Sequence, residues 1–81
     1  MRFKMRVTME MLRNELKYLN ELTKEDEYPY QFYIAYGSYG LDKVVNSGGG
    51  VKTIIGLTTK KELYNQMEML IKGIRLGKGE E

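Results

Sequence analysis

The chain contains no cysteine, no histidine and no tryptophan among its 81 residues, and a single proline. Without cysteine no disulfide can form, so a domain near the lower size limit for independent folding must rely on its own hydrophobic core. Without cysteine and histidine, thiolate and imidazole metal sites are excluded, as are Ser-His and Cys-His nucleophile pairs. A carboxylate pair for acid and base chemistry would have to join Asp42 to a glutamate. The acidic residues, however, fall mainly on predicted helix surfaces and in the run Glu25-Asp26-Glu27, and charge runs of that kind are usually solvated faces. The expectation is a protein that is not an enzyme and uses neither metal nor cofactor.

Charge of one sign is also scarce. Thirteen Lys and Arg against eleven Asp and Glu leave a net charge of +2, well short of the basic patch of a DNA-binding module. There is no apolar run of membrane length. The basic start Met1-Arg2-Phe3-Lys4-Met5-Arg6-Val7 lacks the roughly 7 to 15 apolar residues of a signal peptide. A cytoplasmic protein without a membrane anchor is expected. Its 42% hydrophobic and 30% charged content is ordinary for a globular domain.

What the chain does contain is periodicity. Phe3, Met5 and Val7 alternate with basic residues, as in a short strand or an arm lying on the domain. From Thr8, a suitable N-cap, Met9, Leu12, Leu16, Leu19 and Leu22 recur at spacings of three and four. This marks a first helix, which should end near Lys24 because acidic charge and Pro29 follow. Thr59-Lys60-Lys61-Glu62 is a capping box, and Leu63, Met67, Leu70, Ile71 and Ile74 then mark one face of a second helix, with Gly77 as its stop.

Between the helices lie three runs of strand character, Tyr30 to Tyr36, Leu41 to Asn46 and Val51 to Ile55, separated by glycine turns. A first turn centred on Ser38-Tyr39 sets Tyr36 opposite Leu41, Ile34 opposite Lys43, and Phe32 opposite Val45. A three-residue loop at Gly48 to Gly50 sets Val45 opposite Thr53 and Lys43 opposite Ile55. The fold class is therefore α+β: a three-stranded antiparallel meander with two helices on one face, order (β)αβββα. Residues 1–77 form one domain and 78–81 a frayed tail.

Alternation in these registers divides the sheet. Phe32, Ile34, Tyr36, Leu41, Val45 and Ile55 form the expected core face. Tyr33, Val44 and Ile54 form a second apolar stripe, flanked by Gln31, Asn46 and Lys52. Two helices on one face leave this stripe to be covered either by a partner or by the N-terminal arm.

The candidate ligand residues are Tyr33, Tyr39, Lys43, Gly48, Gly49, Gly50, Lys60 and Lys61. Tyr33, on the second face, and Tyr39, expected at the turn tip, offer rings that stack on a base or anchor a protein. Lys60 and Lys61 stand in the first turn of the second helix, where the dipole disfavours cations by about 0.3–1 kcal/mol each. A broken local rule of that kind points to an anion near free amides. Lys43 falls among core-facing residues, so it either snorkels to the sheet edge or serves a ligand. Gly48-Gly49-Gly50 could bare amides to an anion, but it matches neither the P-loop nor the dinucleotide fingerprint, and a hairpin loop is the simpler reading.

The block Tyr33-Ile34-Ala35-Tyr36-Gly37, then Asn46-Ser47-Gly48-Gly49-Gly50, then Thr59-Lys60-Lys61-Glu62-Leu63-Tyr64 resembles small accessory proteins of bacteriophages and other mobile elements. That resemblance implies a non-catalytic protein that binds and blocks something, as counter-defence proteins do. Three functions are therefore expected to compete. One is a homo-oligomer that sequesters a nucleotide-like anionic ligand between protomers, since a chain this small can hardly enclose one alone. The second is an inhibitor or adaptor binding a host protein through Tyr33, Val44 and Ile54. The third is single-stranded nucleic-acid binding by stacking and lysines.

Overall fold

The computed structural model describes residues 6–79; the alternating arm at Phe3 and Met5 lies outside them. Helix α1 (Met9–Leu22) leads to strands β1 (Tyr30–Ala35), β2 (Ser38–Val44) and β3 (Val51–Thr58), and helix α2 (Lys60–Gly77) closes the order α β β β α. The three strands form one antiparallel sheet in the order β1-β2-β3.

Both helices begin where their caps require. The Thr8 hydroxyl accepts from the Met11 amide, and the Thr59 hydroxyl from the Glu62 amide. Each satisfies an amide that the first helical turn leaves unpaired. Val7, just ahead of the first cap, is buried in the same cluster as Leu12, the arrangement of a hydrophobic staple that fixes the angle at which the chain enters the helix. The α1 ladder stops at Leu22, with Thr23 as C-cap. Helix α2 runs through Gly77 to a C-cap at Lys78, and it is Gly79, at φ +81°, that takes the left-handed backbone past the end. Gly77 is an ordinary helical residue and not the stop. Lys78 is also anchored: its Nζ donates to the Leu22 carbonyl at 2.7 Å, placing a cation at the negative end of α1.

The core lies between the helix layer and one face of the sheet. Leu12 and Leu19 of α1, Leu41 of β2, and Leu63 and Met67 of α2 are fully buried, joined by Ile55 and Ile71. Burying each such side chain contributes about 1.5–3 kcal/mol relative to leaving it exposed. Helix α1 packs on β1 and on α2, and α2 packs on β2 and β3. Asn20 fastens α1 to the sheet margin, its side-chain amide bonding both the N–H and the C=O of Tyr30 at 2.9 and 3.1 Å.

The strands differ from the expected registers. The first hairpin turns at Tyr36-Gly37, not at Ser38-Tyr39, because these two consecutive residues have positive φ, 54° and 72°, as a two-residue hairpin turn of the twist-compatible kind requires. Phe32 therefore faces Leu41, Ile34 faces Tyr39, and Tyr30 faces Lys43. This register leaves Tyr36 at the tip, outside the core, and brings Tyr39 onto the core face. Val45 lies beyond β2 and is exposed, and Ile34 faces the helix side but is 52% exposed at the sheet's end.

The second hairpin is also displaced. Val44 pairs with Val51 and Asp42 with Thr53, whereas Leu41 pairs with Ile55. Ile54 is thus the extra residue of a bulge, and another irregularity lies between the Leu41–Ile55 and Tyr39–Thr58 pairs. One inserted residue reverses which face the following side chains occupy. Val51 and Thr53 consequently join the second face, Lys52 moves to the helix side opposite Lys43, and Ile55 enters the core. Gly40 is required beside these bulges: a Cβ there would lie 2.8 Å from the Ile55 carbonyl oxygen.

Candidate interaction surface

The helices cover one face of the sheet only. The molecule measures 47 × 36 × 18 Å, with a radius of gyration of 13.4 Å, against roughly 12 Å for a compact chain of this length. The thin axis holds one helix layer on one sheet. By strand alternation the other face carries Gln31, Tyr33 and Ala35 from β1, Gly40, Asp42 and Val44 from β2, and Val51 and Thr53 from β3. Tyr33 is 48% exposed there, and Val51 and Ile54 are exposed beside it. Of the expected interface residues, Tyr33 and Val44 lie on this face, and Ile54 sits in its bulged margin.

At the centre of the same face stands an ionisable residue. Asp42 is only 6% exposed, and its Oδ1 is fully buried without a hydrogen-bond partner. An unsatisfied buried oxygen of this kind costs about 1–3 kcal/mol in desolvation. At the end of the β1–β2 hairpin, Tyr36 is 96% exposed in the left-handed backbone region. A bulky side chain held there is a strained choice, and strain of this kind concentrates at working surfaces. Strand alternation alone puts Tyr36 in the core, and the sequence offers Asp42 only as a possible acid. The Tyr36-Gly37 dipeptide between two alternating runs was the available signal for the first.

The residues expected to hold an anion are not brought together. Tyr39 and Lys60 do meet, with the lysine Nζ 5.7 Å from the ring centroid, so the cation in the first turn of α2 has an aromatic face to compensate the dipole. Lys61 is exposed beside it. Gly48, Gly49 and Gly50 lie past the other end of β2, about 20 Å from Tyr39 along a chain that rises ~3.3 Å per residue. Their amides are occupied. Asn46 Oδ1 accepts from Gly48 and Gly50, and the Asn46 carbonyl from Gly49.

Lys43 follows the snorkelling alternative. Its Nζ donates to the Tyr28 carbonyl at 2.7 Å, lies 3.7 Å from an Asp26 carboxylate oxygen, and sits 4.7 Å from the centre of the Tyr30 ring. Its partners fasten the segment before β1 to the sheet. Tyr33 is on the opposite face from Tyr39 and Lys43, so no single ligand spans the set.

The helix layer carries a separate proton site. Burial, a hydrogen bond that the protonated Glu15 carboxyl donates to Glu68, and the charge of Glu68 raise Glu15 to about 7. Tyr64 is pushed up by burial and by the same two carboxylates. Glu15 therefore holds its proton well above the ordinary carboxylate range where it meets Glu68 across the α1–α2 seam.

Among the described residues, no helix is long and apolar enough to cross a membrane, and no group of three or more acidic residues is placed to hold a metal ion. No family model, curated protein or solved structure matches the chain, so the resemblance to mobile-element accessory proteins rests on the residues quoted for it.

Proposed function

We propose that the protein is a protein-interaction module, an inhibitor or adaptor that docks a partner protein on the face of its sheet opposite the helices. The observation that carries this reading is the placement of both helices on one side, leaving Tyr33, Val44 and Val51 on the other. Tyrosines provide large, rigid contact area with a polar tip, which is why they anchor interfaces. Tyr33 stands within the face and Tyr36 at its hairpin end, and both rings reach solvent.

Position-specific crosslinking in the producing cells tests this. A photoreactive phenylalanine at residue 33 should give a discrete adduct with another protein. The same group at Met69, exposed on α2, should not. Tyr33→Ala should abolish co-purification of that partner while leaving the circular dichroism spectrum intact. Identical adducts from both positions, or capture unchanged by Tyr33→Ala, would remove the face from consideration.

The meeting of Tyr39 and Lys60 favours a second reading, in which a nucleotide-like anion stacks at the start of α2 between protomers of a homo-oligomer. Nucleotides well above micromolar concentration should then raise the melting temperature. No shift at any nucleotide tried would eliminate that corner.

A further inference from the structure

We infer that strand β1 pairs edge to edge with β1 of a second copy of the chain, antiparallel across a two-fold axis at Tyr33, so that two sheets become one of six strands. The docking role proposed for the face opposite the helices is not required for this. β1 and β3 are the two edges of the sheet. The β3 edge is broken by bulges and carries Lys52, both of which deter the addition of a further strand. β1 has neither device: its register with β2 is unbroken, and no charged residue occurs between Glu27 and Asp42.

The direction in which each β1 amide points follows from the turn. A two-residue hairpin loop closes on a hydrogen-bonded pair, here Ala35 and Ser38, and bonded pairs alternate with unbonded ones along the ladder. Gln31, Tyr33 and Ala35 therefore bond to β2, whereas the amides and carbonyls of Tyr30, Phe32 and Ile34 point away from it. Asn20 agrees with this, since it can hold both main-chain groups of Tyr30 only because they point outward. Among the described residues nothing bonds those of Phe32 and Ile34.

This short free edge complements itself. With the axis at Tyr33, Phe32 meets Ile34 of the second copy and Ile34 meets its Phe32, and each meeting exchanges two main-chain hydrogen bonds. The two Tyr33 residues face each other as the unbonded pair between them. Because the strand is uncharged, no like charges oppose across the axis. Ile34, 52% exposed although it faces the helix side, gains an apolar neighbour in Phe32 of the second copy, and the two Tyr33 rings meet on the opposite face. Asn20 at one end and the Tyr36-Gly37 turn at the other confine the ladder to this register.

The chain has no cysteine, so a single introduced thiol can link only two copies. Unbonded antiparallel pairs set their Cα atoms about 4.5 Å apart, within the disulfide range of about 4.4–6.8 Å. Under mild oxidation Tyr33→Cys should form a covalent dimer. Gln31→Cys should not, because the two copies of that residue stand four residues out of register, ~13 Å apart along the strand. The solution mass of the parent should rise from one chain toward two with concentration, as for a contact at the small end of specific interfaces. Ile34→Pro removes an outward amide, and Ile34→Lys sets a charge against Phe32 of the second copy; each should restore the mass of one chain and leave the circular dichroism spectrum intact.

Three results overturn the inference: a mass of one chain even at near-millimolar protein, a two-chain mass indifferent to both Ile34 substitutions, or equal linking through residues 31 and 33. A monomer that dimerises only after deletion of residues 2–5 gives the edge to the chain's own N-terminal arm and overturns the second copy as its occupant. Capture of another protein through Tyr33 without self-linking removes the strand pairing and leaves the docking face standing. Self-linking without such capture does the reverse.

Discussion

Tyr36→Asn should stabilise the protein. The residue occupies the first central position of the β1–β2 turn at φ 54°, followed by Gly37 at φ 72°. An L residue with an ordinary side chain loses about 1–2 kcal/mol in that region through the clash of Cβ with the backbone. Asparagine tolerates it, and Asn-Gly is the preferred pair for this turn. The ring is 96% exposed, so no burial is forfeited by its removal, and the net gain should be about 1 kcal/mol. For a domain of this size that corresponds to a rise of about 4–8 °C in melting temperature, measurable by circular dichroism and checked by an increased urea midpoint at unchanged slope. Gly37→Ala provides the opposite control. It forces a Cβ into the same region and should lower stability by about 1 kcal/mol. If Tyr36→Asn melts at or below the parent temperature, the strain argument is wrong, because the ring must then be contributing contacts that its exposure denies. If the ring serves binding, the stabilised variant should also bind its partner less well, since stability gained at a strained surface commonly comes at the expense of activity.

Two further outcomes follow from the geometry. Gly40→Ala places a Cβ 2.8 Å from the Ile55 carbonyl oxygen and 3.3 Å from the Gly56 carbonyl carbon, backbone atoms that cannot rotate aside, so the urea midpoint should fall by the equivalent of about 1–3 kcal/mol; an unchanged midpoint would mean that the bulged strand yields freely. Glu15 binds its proton more tightly folded than unfolded, so its contribution is fully present below pH 4.5 and is lost as pH rises through about 7; after allowance for solvent screening this is about 1 kcal/mol. Glu15→Gln should flatten that slope between pH 4.5 and 7 and exceed the parent in stability at pH 8, and a parallel decline in both proteins would place the proton elsewhere.

The helices and the hairpins differ in how far they can be read from the chain. Thr8 and Thr59 cap because their hydroxyls are next to the amides they satisfy, and Leu63, Met67 and Ile71 are buried because helical spacing collects them on one side. Both facts are local. Strand register is not. Ser38-Tyr39 between two glycines and Tyr36-Gly37 were competing turns, and an aromatic residue in the left-handed region runs against intrinsic preference. Tertiary packing decides in favour of Tyr36-Gly37, which places Phe32 against Leu41 and draws Tyr39 to the core. The bulges in β3 have no sequence marker beyond Gly56, and each moves side chains between faces. Tyr33 was legible as part of the face opposite the helices because it lies within β1, where alternation is unbroken. The burial of Asp42 was not, since it depends on which residues of β1 and β3 stand on either side of it. Lys43 was legible as a choice between two roles, and the chain preceding β1 resolved it by providing the Tyr28 carbonyl and Asp26 as partners.

The two helices that build one core flank the sheet in sequence, and Lys78 closes on the Leu22 carbonyl across a separation of 56 residues. On a ribosome, Leu12 and Leu19 emerge long before the side chains of α2 that bury them. The meander alone offers them only half a cover. Packing of the core must therefore wait until α2 has emerged, and until then the nascent chain carries an unpacked apolar helix. A chain arrested before residue 63 has the complete sheet yet lacks Leu63, Met67 and Ile71, so the core cannot close until α2 has been made.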